Sequence, residues 1–321
     1  MIRIAVIDDW LGVAEGLADW ASLDADVTFV RQHIGDIDRL VETIAGHDVL
    51  CVTRERTPIG AEVIGRLPDL KLIVTAGRRN FSLDVDAASA RGLTVCGTDS
   101  SGEGTVELTW ALILALAHRV PDNASAMREG LWQTRLSSLL TGKTLGIVGL
   151  GRLGARVAAI APAFGMDVIA WSQNLTDEAA AERGARRVEK AVLFAEADVV
   201  TIHTVLSART RGLVDAAAIG AMKPTATLVN TSRGPIVEVD ALSAALRDGR
   251  IAGAALDVYE VEPLPADDPL RSVPNLLLTP HVGYASAENL SLFYQQMVEA
   301  IAAWRAGTPI RLLTPAAPSL S

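Results

Sequence analysis

The stretch Thr144-Leu-Gly-Ile-Val-Gly149-Leu-Gly151-Arg-Leu-Gly154 decides the fold. It begins with an apolar, β-branched run that predicts a buried strand, and its glycines then open a segment with helical periodicity. Gly149 permits a tight turn, Gly151 lets a pyrophosphate approach the backbone, and Gly154 lets the helix pack closely on the strand. N–H groups at the helix start would then point at the phosphates. The stretch therefore predicts a dinucleotide-binding loop.

A second predicted strand, 168–171, leads to Ser172 and Gln173. Proteins that bind NAD usually place an Asp or Glu here to receive the ribose hydroxyls. An acid would repel the 2′-phosphate of NADP, whereas a serine hydroxyl can donate a hydrogen bond to it. Selective NADP binding also needs a nearby arginine, for which Arg152 in the glycine loop is an unspecific candidate. We expect relaxed choice: NAD accepted, and NADP accepted or mildly preferred.

Strand-like and helix-like segments alternate along the whole chain. Short β-branched runs predict ten strands, at 3–7, 49–53, 71–75, 93–96, 144–148, 168–171, 198–202, 227–230, 253–258 and 275–279. Ala-rich segments with helical periodicity lie between many of them. This alternation indicates βαβ units, and continuous apolar runs indicate strands covered on both faces. We predict an α/β fold with two Rossmann-like, doubly wound parallel-sheet domains.

The glycine stretch falls near the middle of the chain, so a complete α/β unit precedes it. The long apolar helix predicted at 102–119 marks the crossing between domains, and a second long helix, at about 286–306, has no sheet left to join. We predict a substrate domain of residues 1–98 and 288–321, with a dinucleotide-binding domain of residues 99–287 inserted into it.

Composition excludes several function classes. Of the 321 residues, 50% are hydrophobic and 21% are charged, which is typical of globular proteins. The net charge of −9 argues against nucleic acid as the main partner, because phosphate binding needs a basic surface. No apolar run is long enough for a membrane partner, no secretory signal opens the chain, and the two cysteines lack metal-ligand spacing. We expect a cytoplasmic protein without a bound metal.

Three polar residues each follow a predicted strand, where ligands bind to open parallel sheets. They are Arg233, Glu262 and His281. An arginine can hold a carboxylate by two parallel hydrogen bonds, and a histidine exchanges protons near neutral pH. A neighbouring glutamate favours the imidazolium form. These residue types suit acid–base chemistry on a small carboxylic acid.

The stretches that carry these residues make the chain resemble the D-2-hydroxyacid dehydrogenase family. They are Asn230-Thr-Ser-Arg-Gly234, Asp257-Val-Tyr-Glu-Val-Glu262-Pro and Thr279-Pro-His281-Val-Gly283, with Leu70-Lys-Leu-Ile-Val, Val106-Glu-Leu-Thr and Thr210-Arg-Gly-Leu-Val as further matches. The resemblance covers nearly the whole chain. It implies an NAD(P)-dependent oxidoreductase that transfers a hydride between the nicotinamide and C2 of a small D-2-hydroxy or 2-oxo acid.

The resemblance assigns three catalytic roles. Arg233 would bind the substrate carboxylate and carbonyl oxygen, His281 would act as the acid or base, and Glu262 would orient and tune His281. Glu260 competes with Glu262 for the last role, but only Glu262 precedes a proline, as the family pattern requires.

The resemblance also implies cofactor contacts. Asp257 would hold the nicotinamide carboxamide, and Thr105 would lie near that ring. His203 ends a strand but lacks an acidic neighbour in a comparable motif, so we expect it to line the cofactor cleft. The predicted cofactor-binding set is Gly149, Gly151, Arg152, Leu153, Gly154, Ser172, Gln173, His203, Thr204, Thr210, Thr231, Asp257 and Thr105.

The predicted substrate loop departs from the family form Gly-x-Gly-x-Asp-Asn. It reads Thr75-Ala-Gly-Arg-Arg-Asn80. We expect the backbone N–H groups of Ala76 and Gly77 to receive the substrate carboxylate. Arg54 and Arg56 follow strand 49–53, and they are either ordinary surface charge or a second anion site for a phosphate or distal carboxylate.

Two other functions stay open on this fold: a dinucleotide-sensing, corepressor-like binding protein and a binding module with an inactive site. The intact Arg233, Glu262 and His281 weigh more against the second. The family commonly forms homodimers through the nucleotide domain, and the apolar helix 102–119 belongs either to that interface or to the core. Trp132 matches a recurrent family position and is expected to support the domain junction.

Overall fold

The computed structural model describes residues 1–314, which form two compact units. The first unit is Met1–Ser101 with the segment that begins at Ala285, and the second is Gly102–Tyr284. Residues 315–321, which the predicted substrate domain includes, lie outside the described residues. Each unit is built around its own parallel sheet.

The first unit contains a five-stranded sheet. Its elements are, in chain order, β1 (Arg3–Ile7), α1 (Ala14–Leu17), β2 (Asp26–Phe29), α2 (Ile37–Ile44), β3 (Val49–Val52), α3 (Ala61–Gly65), β4 (Leu72–Thr75), α4 (Val85–Ala90) and β5 (Thr94–Gly97). The strand order is β2-β1-β3-β4-β5, and every pairing is parallel. Strands β3 and β4 are buried along their whole length, as strands covered on both faces should be.

The second unit contains a seven-stranded sheet. Its elements are α5 (Glu103–Ala117), α6 (Val120–Arg128), β6 (Thr144–Val148), α7 (Arg152–Ile160), β7 (Asp167–Trp171), α8 (Asp177–Ala181), β8 (Arg186–Arg187), α9 (Lys190–Glu196), β9 (Val199–Ile202), α10 (Ala216–Ala221), β10 (Thr227–Asn230), α11 (Val239–Arg247), β11 (Gly253–Leu256) and β12 (Leu276–Leu278). The strand order is β12-β11-β10-β9-β6-β7-β8. Every pairing is parallel, and the order in which successive strands are added reverses between β6 and β9, which is where such sheets bind dinucleotides.

The last helix, α12 (Ala287–Arg305), belongs to the first unit and packs there against α1 and β4. Its side chains Phe293, Met297 and Ile301 are fully buried. Among residues 1–314, none of the helices combines the length and the apolar character needed to cross a bilayer.

The buried apolar residues of α5 lie in the hydrophobic core, which is one of the two roles, core or dimer interface, that the sequence left open for this helix. Trp110, Ile113 and Leu116 lie in one hydrophobic cluster with Val157 of α7, and the Trp110 indole N–H donates to the Val157 carbonyl at 3.3 Å. A second cluster, around Phe194 of α9, covers the other face of the sheet. The buried face of α5 therefore packs within the second unit.

The predicted fold class is confirmed, and all ten predicted strands are present. Two strands, β2 and β8, were not predicted. Strand β2 lies at the edge of its sheet with side chains only partly buried, so it lacks a continuous apolar run. Strand β8 is two arginines, Arg186 and Arg187, placed by pairing with Ile169 and Ala170. Pairing with a neighbour, rather than local composition, makes both of them strands.

One exposed apolar segment stands out on the second unit. We call residues 127–139 the apolar arm; it runs from the end of α6 through an irregular stretch. Leu136 is 96% exposed and Trp132 is 75% exposed, with Met127, Leu131 and Leu139 also exposed. The expected supporting role of Trp132 is therefore not met by packing within this chain. Several large apolar side chains exposed along one short segment are typical of an interaction site.

Candidate active site

The glycine loop fits a bound pyrophosphate. Gly149 has φ +101°, and a Cβ there would lie 2.7 Å from the Thr204 nitrogen, so the turn requires glycine. A Cβ at Gly154 would overlap the Gly149 carbonyl oxygen. By contrast, nothing in the structure lies within 4 Å of a Cβ at Gly151. Contacts within the protein therefore do not require glycine at position 151, whereas the close approach of a ligand at the start of α7 would require it.

Ser172 is tied to the glycine loop by its side chain. The Leu150 backbone N–H donates to the Ser172 hydroxyl oxygen at 2.9 Å. The carbonyl of the same Leu150 accepts from the guanidinium of Arg183 at 2.8 Å. No sequence motif points to Arg183, because it lies eleven positions beyond Ser172 and only the fold brings it to the loop.

The remaining predicted cofactor residues lie at the carboxyl edge of the second sheet or at the start of α7. Arg152 and Leu153 lie in the first turn of α7, and their side chains approach Gly102. Gln173 is exposed beside Ser172. The Thr204 carbonyl accepts from the Ser232 hydroxyl. These positions all lie within the second unit.

Three predicted threonines make hydrogen bonds within the protein. The Thr105 hydroxyl donates to the Gly283 carbonyl at 3.0 Å, and the Thr231 hydroxyl lies 2.9 Å from that of Thr109. Thr210 accepts from the Ser207 N–H and donates to the Val205 carbonyl. The side chain of Thr210 therefore closes its own loop, a role the sequence did not reveal.

Asp257 organises the loop that carries His281. Its buried carboxylate accepts from the Thr279 hydroxyl at 2.6 Å, from the Val282 N–H at 2.9 Å and from the Gly283 N–H at 3.0 Å. Burial raises the pKa of Asp257, although these three hydrogen bonds oppose that shift. Asp257 thus ties the end of β11 to the loop after β12, which the motif comparison did not indicate.

His281 and Glu262 form a close pair. His281 Nδ1 lies 2.5 Å from Glu262 Oε2, and the other carboxylate oxygen accepts from the Tyr259 N–H at 2.8 Å. Burial would raise the pKa of Glu262, but the hydrogen bond and charge of His281, the Tyr259 N–H and the charge of Arg233 together lower it. Glu262 is therefore ionised at neutral pH and holds the ring of His281 through Nδ1.

Arg233 is placed beside this pair by the turn after β10. Its charge is one of the influences that lower the pKa of Glu262, and its guanidinium also donates to the Ser232 carbonyl at 2.7 Å. Asn230 stabilises the turn, donating to the Arg233 carbonyl and accepting from the Ser232 N–H. A Cβ at Gly234 would overlap the Tyr259 carbonyl group. Arg233, Glu262 and His281, distant in sequence, thus meet at one sheet edge.

Of the predicted substrate residues, Arg233 lies in the second unit, whereas Ala76, Gly77 and Arg54 lie in the first, where both backbone amides have partners within the protein. The Ala76 N–H donates to the Val52 carbonyl at 2.9 Å and the Gly77 N–H donates to the Thr98 hydroxyl at 2.8 Å. Both amides are engaged in holding β4 beside its neighbours, so neither is available to a carboxylate. Gly77 has φ +90°, and the Arg54 guanidinium packs against it where a Cβ would be.

The arginines of the first unit differ in their surroundings. The guanidinium of Arg56 donates to the Asp8 carbonyl at 2.9 Å and lies 4.0 Å above the centre of the Trp10 ring, which makes it a structural residue. Arg54 Nε lies 3.5 Å from Glu55 Oε2, with one fifth of the arginine side chain exposed. Arg54 and Gly77 are brought together at the carboxyl ends of β3 and β4.

Comparisons with known proteins agree with this fold. The model of the D-isomer specific 2-hydroxyacid dehydrogenase NAD-binding domain matches residues 110–283. A glyoxylate reductase from Korarchaeum cryptofilum is 36% identical over 275 residues, which are 84% of this chain and 82% of that protein. A D-3-phosphoglycerate dehydrogenase from Methanocaldococcus jannaschii is 36% identical over 83% of this chain, but the match spans only 53% of its length. A solved phosphoglycerate oxidoreductase from Vibrio cholerae aligns at a TM-score of 0.91, with 36% identity, 96% coverage of this chain and full coverage of its own.

His203 should remain uncharged across the physiological range. Burial lowers its pKa to about 4, and its Nε2 lies 3.0 Å from the Thr201 hydroxyl. Because the folded pKa lies below the unfolded value, protonation of the unfolded chain destabilises the fold as the pH falls from about 6.5 toward 4. An NMR titration should therefore show no change in the imidazole signals of His203 between about pH 5.5 and 8, because this range lies more than about one unit above its pKa. A midpoint above pH 6 would contradict this burial.

Proposed function

The chain belongs to the D-isomer specific 2-hydroxyacid dehydrogenase family, and from that premise we propose that it interconverts a small 2-oxo acid and its D-2-hydroxy acid. As a member, it is an oxidoreductase acting on CH–OH donors, with an NAD-binding domain matched at residues 110–283. The observation that carries the proposal is the 2.5 Å contact between His281 Nδ1 and Glu262 Oε2, with Arg233 beside it.

The three residues divide the work by their chemistry. Arg233 binds the substrate carboxylate and carbonyl oxygen by charge-assisted hydrogen bonds. Glu262 holds Nδ1 of His281, which leaves Nε2 to carry the proton that moves. In reduction, His281 gives this proton to the carbonyl oxygen; in oxidation, it takes the hydroxyl proton. The nicotinamide, when bound, supplies or accepts the hydride.

The cofactor site supports relaxed choice between NAD and NADP. Ser172 leaves the ribose end of the site without the carboxylate that would repel a 2′-phosphate. Its hydroxyl oxygen accepts from Leu150, so its proton can go to a ribose hydroxyl or to a phosphate oxygen. The glycine loop fits the pyrophosphate shared by both cofactors.

Arg54 is the proposed binding residue for a second anionic group on the substrate. Its guanidinium packs on Gly77 at the carboxyl ends of β3 and β4, its Nε lies 3.5 Å from Glu55 Oε2, and one fifth of its side chain is exposed. A planar guanidinium suits a phosphate or a distal carboxylate.

A homodimer is the proposed assembly. The buried face of α5 is committed to the core of its unit, whereas the apolar arm leaves Trp132 and Leu136 exposed. Covering such a surface against a second copy would remove its apolar area from water.

Glu262→Gln should lower kcat about 100-fold, because His281 loses the carboxylate that orients its ring. Glu260→Gln is the matched control: Glu260 lies two residues away and pairs with the exposed Arg211 at 2.9 Å, so its loss should change kcat less than about 2-fold. The assay follows reduced-cofactor absorbance with glyoxylate, hydroxypyruvate and pyruvate. Equal losses in the two variants would contradict the assignment. Tight cofactor binding without turnover of any 2-oxo acid would favour the dinucleotide-sensing alternative.

Ser172→Asp should lower kcat/KM with NADPH about 100-fold and leave NADH turnover nearly unchanged, because the new carboxylate repels the 2′-phosphate and still accepts from the ribose. Ser172→Ala, the neutral control, removes the hydroxyl without adding a charge and should lower kcat/KM with NADPH by less than about 10-fold. Steady-state kinetics with both cofactors measures this. A wild-type preference for NAD above about a hundredfold would show that Ser172 does not relax the choice.

Arg54→Ala should raise KM about 10-fold or more for a phosphorylated 2-oxo acid and much less for pyruvate, because only the former presents a second anion. Arg78→Ala is the control, since its guanidinium is paired with Asp99 at 3.0 Å. If Arg54→Ala leaves KM unchanged for both substrates, Arg54 binds no second anion.

Light scattering should give wild-type protein twice the chain mass of 33.9 kDa. The double variant Trp132→Ser, Leu136→Ser should shift toward monomer with an unchanged circular dichroism spectrum, because both side chains are exposed in the single chain. Val192→Ser, at an exposed valine of α9, is the control. A monomeric wild-type protein at micromolar concentration excludes the proposed assembly.

A further inference from the structure

A guanidinium lies at the ribose end of the proposed cofactor site. Arg183 follows α8, and its NH1 donates to the Leu150 carbonyl at 2.8 Å. The N–H of that same Leu150 donates to the Ser172 hydroxyl at 2.9 Å. Arg183 and Ser172 therefore bind the two polar groups of one residue, which lies between the first two glycines of the loop.

The charge of Arg183 is not neutralised by its neighbours. In residues 1–314, no carboxylate lies within 4.0 Å of this guanidinium, although Asp177, Glu178 and Glu182 are close in sequence. Arg187, in the same corner, provides the contrast: it donates to the Leu175 carbonyl and also pairs with Glu189 at 2.9 Å. Arg183 is exposed and donates to one backbone oxygen through NH1. The other N–H groups of its guanidinium can therefore donate to a ligand.

This arrangement favours a second anionic group on the cofactor, in addition to the pyrophosphate. Ser172 supplies a hydroxyl proton, Arg183 supplies a positive charge with spare donors, and no acid at position 172 opposes a negative ligand. A planar, always charged guanidinium suits a phosphate in particular. NAD offers no charged group at this end, whereas NADP carries its 2′-phosphate on the adenosine ribose.

We infer that Arg183, with the Ser172 hydroxyl, binds the 2′-phosphate of NADP and is the residue that gives this cofactor its advantage. The inference rests on the proposed function, because it requires a dinucleotide in the glycine loop. It changes the expected role of Arg152, whose guanidinium lies close to Gly102. The contact to Leu150 holds Arg183 in place before the cofactor arrives, which reduces the entropy lost on binding.

The test is direct binding, independent of turnover. Dissociation constants for NADPH and NADH are measured from the fluorescence of the reduced cofactors in wild type, Arg183→Gln, Arg183→Lys and Arg187→Gln. Arg183→Gln should weaken NADPH about 10- to 100-fold and NADH less than about 3-fold, as expected for loss of a charge-assisted hydrogen bond. Arg183→Lys, which keeps the charge but not the fork, should fall between wild type and Arg183→Gln. Arg187→Gln should leave the ratio of the two constants unchanged.

Competition by adenosine 2′,5′-bisphosphate and by 5′-AMP provides a second readout. Arg183→Gln should reduce the affinity for the bisphosphate and not that for AMP, and raising the salt concentration should weaken the bisphosphate more than AMP in wild type, because it carries the additional phosphate. Equal weakening of NADPH and NADH in Arg183→Gln would mean that Arg183 only supports the loop, and this would overturn the inference. Unchanged NADPH affinity would do the same. A wild-type chain that binds neither cofactor would overturn the proposed function itself, and the inference with it.

Discussion

The proposed active site depends on one buried carboxylate, that of Asp257. Its three hydrogen bonds join the end of β11 to the loop after β12, and that loop carries His281. Burying a charge is costly unless it is hydrogen-bonded, and these bonds offset the cost. His281 itself has φ +51°, a left-handed conformation that a non-glycine residue adopts only when its surroundings impose it. Asp257 supplies that constraint.

Tyr259 extends the constraint to the other two residues. Its N–H binds Glu262, its hydroxyl donates to the Thr279 carbonyl at 2.8 Å, and its own carbonyl group lies where a side chain at position 234 would be. The turn of Arg233, the loop of Glu262 and the loop of His281 thus share a single support. A shift in any one of the three loops would disturb the 2.5 Å contact between His281 and Glu262.

Leu150 has a corresponding role at the cofactor loop, through its backbone alone. Its N–H and carbonyl are held by Ser172, which follows β7, and by Arg183, which follows α8. The arrangement keeps the loop fixed and places a hydroxyl and a guanidinium at its ribose end. The Ser172 hydroxyl and the Arg183 guanidinium, which stabilise the loop, are therefore also the groups proposed to bind the 2′-phosphate.

Local chemistry determined much of this protein. Continuous apolar runs identified ten strands and glycine spacing predicted the dinucleotide loop, because each signal needs only neighbouring residues. The positions of Arg233, Glu262 and His281 after strands, together with the family resemblance, predicted the catalytic residues. Tertiary structure decided the rest: that the Ala76 and Gly77 amides are engaged, that Asp257 holds the loop of His281, and that Arg183 reaches Leu150. These outcomes depend on which distant groups meet, since a backbone amide or an arginine looks the same in sequence whether or not the fold gives it a partner.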